Sequence, residues 1–204
     1  MSPDEALERA RELAVRPGRT LLGLAGPPGA GKSTLAARIA EALGPERAVV
    51  VPMDGYHLAQ AVLERLGRAG RKGAPDTFDA AGFVALLRRL RAAEETVWAP
   101  EYRRDLRHGV TGAVEVRPQV PLVVVEGNYL LLEEHGFAPV RGLLDEAWYC
   151  ALAEEVRLER LVARHVATGK EPGFARRWAL GPDESNARLV AATRHRADRV
   201  VAMD

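Results

Sequence analysis

The chain has 204 residues, 47% of them hydrophobic, which suits one well-packed domain and is short for two. Its 29 basic and 28 acidic residues nearly cancel, so the sequence lacks the basic excess of a general nucleic-acid-binding surface. A single cysteine rules out an intrachain disulfide, and no Cys/His cluster has metal-ligand spacing, which predicts a reducing compartment. We therefore expect one domain over residues 1–204 that does not bind nucleic acid.

The first residues predict a helix rather than a targeting signal. Ser2 can cap this helix, Pro3 suits its first turn, and Glu5 completes a capping box. Acidic residues stand where a signal peptide would be basic and then apolar, and no apolar stretch approaches the length of a membrane span. The sequence therefore predicts a cytoplasmic protein that does not bind membranes.

A strand predicted over residues 19–25 leads into the most informative motif of the chain. The motif has the spacing G-x-x-x-x-G-K-[ST] and reads Gly26-Pro27-Pro28-Gly29-Ala30-Gly31-Lys32-Ser33-Thr34. Its glycines let the backbone curl around a polyphosphate with N–H groups pointing inward. Lys32 can reach the β- and γ-phosphates, and Ser33 can bind Mg²⁺ where the next helix, predicted over 33–43, begins. A glycine-proline turn before an ordinary helix is the alternative, but the order of strand, motif and helix favours nucleoside triphosphate binding.

Two more predicted strands end in carboxylates. Residues 48–51 and 122–125 are continuous apolar runs, typical of strands buried on both faces. Asp54 follows the first run and Glu126 ends the second. Phosphoryl transfer requires Mg²⁺ beside the phosphates and an acceptor oxygen placed in line, two tasks that these carboxylates can divide. The alternatives are a cap or turn role for Asp54 and a structural ion pair for Glu126.

Helices and a loop are predicted between the two carboxylate-bearing strands. Apolar residues recur at helical spacing over 57–66, and a basic, glycine-rich loop that we expect to be mobile follows over 67–75. Asp79 can cap the next helix. Short extended segments are expected over 96–100 and 113–116, on either side of a further loop.

That further loop, residues 101–112, supplies candidates for contact with an acceptor molecule. Its basic and aromatic side chains would suit a carboxylate, a phosphate or several hydroxyls, with a solvated surface as the alternative: Tyr102, Arg103, Arg104, Arg107 and His108. Tyr56 and His57 follow Asp54 and are candidates for the same role. A histidine that starts a helix is as often a cap or a surface residue.

The C-terminal part continues the alternation of strands and helices. Strands are predicted over 146–152 and 199–202, and helices over 154–166 and 183–196. This alternation predicts a mainly parallel α/β sheet whose ligands bind at the C-terminal ends of the strands. The first of these helices carries three arginines spaced three and four residues apart, which predicts one basic face, with an ordinary solvated face as the alternative: Arg157, Arg160 and Arg164.

Several of these segments together resemble the phosphoribulokinase/uridine kinase group of P-loop kinases. The similarity covers nearly the whole chain and is carried by the phosphate loop and four further segments: Met53-Asp54-Gly55-Tyr56-His57, residues 71–79, Val125-Glu126-Gly127 and Arg157-Leu158-Glu159-Arg160. The resemblance implies an α/β P-loop NTPase three-layer sandwich. Its five-stranded parallel sheet would have the order 2-3-1-4-5, with helices on both faces and a lid helix. The implied cofactors are ATP and Mg²⁺.

The resemblance also implies roles for individual residues. Asp54 would orient or deprotonate the acceptor hydroxyl, and Glu126 would hold Mg²⁺ through water. Residues 157–164, followed by Gly169-Lys170, resemble the lid helix of uridine kinases. That similarity implies Arg160 and Arg164 as the catalytic cations of the lid.

The acceptor molecule is less well defined by the resemblance. Gly55-Tyr56-His57 stands where uridine kinases usually have Ser-Phe-Tyr, whereas residues 71–79 look closer to bacterial pantothenate kinase. The chain resembles most the compact bacterial nucleoside/nucleotide kinase-like proteins, some of which are associated with sugar uptake. We therefore expect an ATP- and Mg²⁺-dependent kinase for a hydroxyl of a small metabolite, with a nucleoside-like acceptor first and pantothenate or a sugar next. An NTPase switch is the alternative from another class, although the guanine-reading Asn-Lys-x-Asp sequence is absent.

Overall fold

The computed structural model describes residues 1–103, 105–106 and 108–203. Within these ranges the strands are β1 Thr20–Ala25, β2 Ala48–Pro52, β3 Val97–Arg103, β4 His108–Val116, β5 Leu122–Glu126, β6 Glu146–Ala151 and β7 Arg199–Ala202. The helices are α1 Pro3–Leu13, α2 Lys32–Leu43, α3 Gln60–Arg65, α4 Ala80–Ala92, α5 Val140–Leu143, α6 Glu154–Ala167, α7 Pro172–Trp178 and α8 Glu184–Ala192.

Five of the strands form a parallel sheet in the order β2-β5-β1-β6-β7. When only the strands of this sheet are counted along the chain, the order is the expected 2-3-1-4-5. The full numbering differs because β3 and β4, which lie between β2 and β5 in the chain, pair with each other as a separate antiparallel hairpin. The hairpin occupies much of the predicted 101–112 loop. Most side chains of the hairpin are exposed or only partly buried. Its sequence therefore lacks the regular alternation of apolar and polar residues that predicts a strand.

The register of the parallel sheet brings the expected site residues together. Leu24 on β1 pairs with Glu126 on β5, and Pro52 on β2 pairs with the same Glu126. These three strands therefore end at one level, from which the phosphate loop and Asp54 continue. Every side chain of β1 and β5 is buried, as their continuous apolar runs predicted for strands covered on both faces.

Helices cover both faces of the sheet. On one face, α1 contributes Leu13 and α2 contributes Ile39 to a buried core. On the other face, α4 and the segment after β5 form a second core that includes Phe83 and Tyr129. The three-layer α/β architecture is therefore confirmed. Within the described parts of the chain, each helix is too short or too polar to cross a bilayer.

Helix ends agree with prediction where a cap is strong and differ where other contacts compete. The predicted caps at Ser2 and Asp79 both accept a backbone N–H bond, and the capping box with Glu5 is complete. The predicted helix over 57–66 is reduced to α3 because His57 instead pairs with Phe78 in a β-bridge. The α7 helix was not predicted, since seven residues are too few to establish a helical period.

Candidate functional site

The phosphate loop lies between β1 and α2 and is tightly curled. Its glycines Gly26, Gly29 and Gly31 have positive φ angles of 148°, 85° and 88°. A Cβ on Gly29 would lie 2.9 Å from the carbonyl oxygen of Arg157 on α6, so the close approach of that helix requires glycine. The loop therefore has the compact backbone that its motif spacing predicted.

Lys32 is buried at the centre of this loop. Its ammonium donates to the carbonyl oxygens of Gly26 and Pro27 at 2.8 and 3.0 Å. It also donates to Oδ1 of Asn128 at 2.7 Å, a residue that the sequence did not single out. Burial lowers the pKa of Lys32, while the nearby carboxylate of Glu126 acts against this shift. The ammonium is therefore positioned by neutral oxygen acceptors and lies in the field of a carboxylate.

Ser33 and Glu126, the two expected magnesium ligands, lie side by side. The Ser33 hydroxyl donates to Oε1 of Glu126 at 3.2 Å, and Glu126 is buried at the end of β5. Mg²⁺ prefers such oxygen ligands and usually takes only one or two from the protein, keeping water and phosphate oxygens for the rest. The curled loop, the ammonium and this hydroxyl–carboxylate pair together fit a bound triphosphate with Mg²⁺.

Asp54 lies at the wall between two cavities. The main cleft has a volume of about 390 Å³ and is lined by residues that include Pro28, Asp54, Tyr102, Asn128, Arg164 and Lys170. The side cavity has a volume of about 280 Å³ and is lined by residues that include Ser33, Asp54, Glu101, Tyr102 and Glu126. The main cleft is large enough for a small metabolite. Asp54 is therefore shared between a space for an acceptor and the space beside the expected magnesium ligands.

His57 and Tyr102 line the main cleft, as candidates for acceptor contact should. Their ring centroids are 4.9 Å apart, and the His57 ring also packs on Phe78 at 4.0 Å. Nδ1 of His57 lies 2.8 Å from the carbonyl oxygen of Asp54. A carbonyl can only accept, so Nδ1 carries the proton and donates it, which fixes the ring next to Asp54.

Three other candidates lie away from the main cleft. Tyr56 packs its ring edge-on against Phe83 at 5.5 Å, and burial raises its pKa to about 12. Arg103 and His108 are exposed and face each other across the hairpin, where Arg103 forms an ion pair with Asp105. We therefore do not carry these three into the proposed site. Arg104 and Arg107 lie outside the described residues.

The three arginines of α6 lie in three different environments. Arg157 is buried and donates to the carbonyl oxygen of Pro28 and to Glu184 on α8, so it ties the helix to the phosphate loop. Arg160 is exposed, and Arg164 lines the main cleft. The shared helical spacing therefore does not give the three side chains the same exposure. Helical spacing places side chains around an axis, but it cannot tell which neighbour will cover them.

The loop over 67–75 is hydrogen-bonded rather than loosely attached. The Tyr129 hydroxyl donates to the carbonyl oxygen of Gly73 at 2.5 Å, and the N–H of Gly73 donates to the Thr77 hydroxyl at 3.0 Å. Lys72, next to Gly73, lines the main cleft. These contacts anchor the end of the loop near Gly73, and mobility of its remainder stays a prediction.

The wall of the main cleft opposite the sheet contains residues that sequence reasoning missed. They come from the end of α6, from α7, from the segment that joins α7 to α8 and from α8 itself: His165, Thr168, Phe174, Trp178, Asp183 and Asn186. None belongs to a motif, and their convergence depends on how these elements pack. The one available signal was the scarcity of lysine in the chain, which draws attention to Lys72 and Lys170.

Comparisons with known proteins find similar chains among named kinases. A Schizosaccharomyces pombe protein provisionally named a uridine kinase is 34% identical over 177 residues, which cover 82% of this chain and 75% of that protein. A solved structure from Silicibacter sp. TM1040, provisionally described as a fructose transport system kinase, is 37% identical, covers 98% of both chains and has a TM-score of 0.86. A pantothenate kinase of Bacillus velezensis is 33% identical over 115 residues, which cover 54% of this chain and 36% of that enzyme. No family model matches the chain.

Proposed function

As a member of the phosphoribulokinase/uridine kinase group of P-loop kinases, the chain is an ATP-dependent small-molecule kinase, and we propose that its acceptor binds in the main cleft with the reacting hydroxyl at Asp54. The observation that carries this proposal is the position of Asp54, which lines both the main cleft and the side cavity with Ser33 and Glu126. One carboxylate can thus contact an acceptor hydroxyl close to the phosphates of the donor. We also propose that residues 1–204 act as one kinase domain in the cytoplasm.

On the donor side, the loop backbone and Lys32 bind the phosphates. The Lys32 ammonium can exchange its bonds to the Gly26 and Pro27 carbonyls for bonds to phosphate oxygens. When bound beside Ser33 and Glu126, Mg²⁺ supplies positive charge to the same oxygens. Ser33 and Glu126 therefore hold the donor in a fixed place relative to Asp54.

On the acceptor side, Asp54 accepts a hydrogen bond from the reacting hydroxyl. It takes the proton as the new O–P bond forms and the bond between the γ-phosphorus and the bridging oxygen of ATP breaks, which releases ADP. His57 keeps a fixed position beside Asp54 through its bond to the Asp54 carbonyl. Arg164, which lines the same cleft, can donate to the oxygens of the transferred group, where negative charge is spread in the transition state. Asp54 and Arg164 therefore act on the reacting atoms from the protein side.

The acceptor itself is proposed from three candidates. A nucleoside-like compound was the first expectation from the sequence, followed by pantothenate or a sugar, and the relatives' names include uridine, fructose transport and pantothenate. The main cleft has room for any of them. Its aromatic side chains suit a planar base, whereas its ammonium groups suit an acid. Net charge is therefore the property that best separates the candidates.

The test is ADP release with ATP and Mg²⁺, measured before and after adding nucleosides, pantothenate, sugars or their acids. We expect negligible ADP until an acceptor is added. Lys32→Ala should remain folded and lose turnover, while Arg176→Ala, an exposed change on α7, should retain it. ADP release at one rate with and without every acceptor would instead support the NTPase switch. A Lys32→Ala rate within a few-fold of the parent would contradict the role of the phosphate loop.

A further inference from the structure

The lysines of this chain are few and converge on one place. Of 29 basic residues, only three are lysines: Lys32, Lys72 and Lys170. Lys32 belongs to the phosphate loop, while Lys72 and Lys170 line the main cleft from two separate segments, the 67–75 loop and the turn between α6 and α7. Every other basic position outside the histidines is an arginine. A chain that uses arginine for its surface charge therefore uses ammonium groups only around its site.

An ammonium group and a guanidinium contact an anion in different ways. The ammonium is a compact point charge whose three donors can rotate toward a ligand, whereas a guanidinium is a wide, planar fork. Lys72 and Lys170, which line one cleft from separate segments, can therefore both attract a carboxylate or phosphate bound there.

Lys170 is oriented by a chain of polar side chains. Its Nζ lies 3.1 Å from Nδ1 of His165, and Nε2 of His165 lies 2.6 Å from Oδ2 of Asp183. The ammonium can only donate, so Nδ1 of His165 accepts and Nε2 carries the proton that is donated to Asp183. The His165 and Asp183 side chains are only 12% and 11% exposed. The contact with the imidazole therefore orients the ammonium.

Aromatic rings add a second constraint on both ammonium groups. Nζ of Lys170 lies 4.9 Å from the centroid of the Trp178 ring, and Nζ of Lys72 lies 5.4 Å from that of the Tyr102 ring. A ring face attracts a cation through its quadrupole and, unlike a carboxylate, leaves the net charge unchanged. Lys72 is further positioned by the bond between Tyr129 and Gly73.

From these positions we infer that the acceptor carries an anionic group, a carboxylate or a phosphate, which Lys72 and Lys170 bind in the main cleft. This inference rests on the proposed function, because it describes the acceptor side of the same site. The anionic group must lie away from Asp54, which repels it, so the acceptor is a chain or ring with its hydroxyl at one end and its charge at the other. A hydroxy acid or a sugar phosphate is therefore a better candidate acceptor than a neutral nucleoside or a free sugar. His165 and Asp183 are positioning residues that act through Lys170.

The small number of lysines allows a direct binding test. Protein labelled with ¹³C at lysine Cε should give three NMR signals, which Lys72→Arg and Lys170→Arg assign. With a non-hydrolysable ATP analogue and Mg²⁺ bound, the protein is titrated with matched pairs: glycerate and glycerol, gluconate and glucose, pantothenate and panthenol, glucose 6-phosphate and glucose. We expect the Lys72 and Lys170 signals to shift with the charged member of at least one pair and not with its neutral partner. The carboxylate and phosphate pairs separate the two kinds of anion. Equal shifts with both members of every pair, or no shift with any anion at millimolar concentration, would overturn the inference.

Kinetics then separates this inference from the proposed function. With a charged acceptor, Lys72→Met and Lys170→Met should each raise the acceptor KM by about tenfold or more and leave the KM for ATP within a few-fold. His165→Gln should raise the acceptor KM by less, because it disturbs only the orientation of Lys170. Arg176→Ala is the matched control on α7. If Lys72→Met and Lys170→Met keep the parental acceptor KM, the anion inference is wrong and the kinase assignment stands. If the unsubstituted protein neither binds ATP nor phosphorylates any acceptor, the proposed function itself is wrong.

Discussion

The donor side and the acceptor side of this site are built in different ways. Lys32 and Ser33 follow β1 in the chain and Glu126 ends β5, so the register of these two strands brings them together, and their contacts include one another, the loop backbone and Asn128. By contrast, the ammonium groups of the acceptor side come from two distant segments and are held by rings and an imidazole. The donor side is therefore fixed by the backbone, and the acceptor side depends on side-chain packing.

This difference predicts how each side responds to substitution. A change on the donor side removes a group aimed at the phosphates, so it should reduce kcat or alter the metal dependence. A change on the acceptor side loosens a contact with the part of the acceptor that does not react, so it should mainly raise the acceptor KM. Asp54, which lines both cavities, and Arg164, which lines the main cleft, provide the strongest tests.

The largest effect is expected for Asp54→Asn. The amide cannot accept the proton of the acceptor hydroxyl, so kcat should fall by about a hundredfold or more, the range of general-base catalysis, with ATP affinity nearly unchanged. Single-turnover phosphorylation and a direct ATP titration measure the two quantities. Asp105→Asn, an exposed change on the hairpin, is the control. A loss of kcat smaller than a few-fold would place the reacting hydroxyl elsewhere.

A smaller effect is expected for Arg164→Ala. Its guanidinium lines the main cleft and should act on charge that develops during transfer, so kcat should fall about tenfold while the ATP dissociation constant changes much less. Arg160→Ala, which changes an exposed side chain one turn earlier, should have a weaker effect. Equal losses of kcat in the two variants would instead support the expectation from the family resemblance that both Arg160 and Arg164 are catalytic. Parental rates in both would make α6 a scaffold.

The metal dependence should change with Glu126→Gln. A neutral amide attracts Mg²⁺ less strongly than a carboxylate does. The Mg²⁺ concentration needed for half-maximal rate should therefore rise severalfold in Glu126→Gln. Much of the parental rate should return when the variant is saturated with Mg²⁺. Adding a chelator should stop the parent enzyme. Identical Mg²⁺ titrations of the parent and Glu126→Gln would reject the division of tasks between the two carboxylates. Glu133→Gln changes an exposed carboxylate and serves as the control.

The smallest effect on rate is expected where the hairpin meets Asp54. A Cβ on Gly55 would lie 2.3 Å from the carbonyl oxygen of Pro100, so Gly55→Ala must displace the hairpin. We expect a loss of about 1–3 kcal/mol in the free energy of unfolding, the usual range for overpacking, and a few-fold rise in the acceptor KM without a change in the ATP KM. Gly142→Ala, where no atom lies within 4 Å of the added Cβ, is the control. An altered ATP KM with an unchanged acceptor KM would contradict the division between the two sides.

The donor side could be predicted from the sequence because its signals are local. One contiguous motif placed Lys32 and Ser33, and two apolar strand runs placed Asp54 and Glu126 at neighbouring strand ends. The order of the sheet followed from the resemblance carried by these same segments. Parallel pairing then brings these residues together, because strands that share a register end at the same edge of the sheet.

The acceptor side could not be predicted in this way because its geometry depends on long-range packing. Lys170, His165 and Asp183 meet through the packing of three short elements, and no periodic pattern encodes that meeting. Tyr56 illustrates the opposite error. It follows Asp54 directly in the sequence, yet its ring packs against Phe83 in the core, because neighbours in a tight turn point in different directions.

The shared position of Asp54 also couples the two ligands thermodynamically. A cation bound in the side cavity offsets the negative charge that Asp54 presents to an anionic acceptor in the main cleft. Metal binding must then raise acceptor affinity, and acceptor binding must raise metal affinity by the same factor, because coupling between two sites is reciprocal. In the proposed site each ligand would thus favour binding of the other. The complete ternary complex would be favoured over either partial one, which would limit the time that an activated phosphate spends with water as its only available nucleophile.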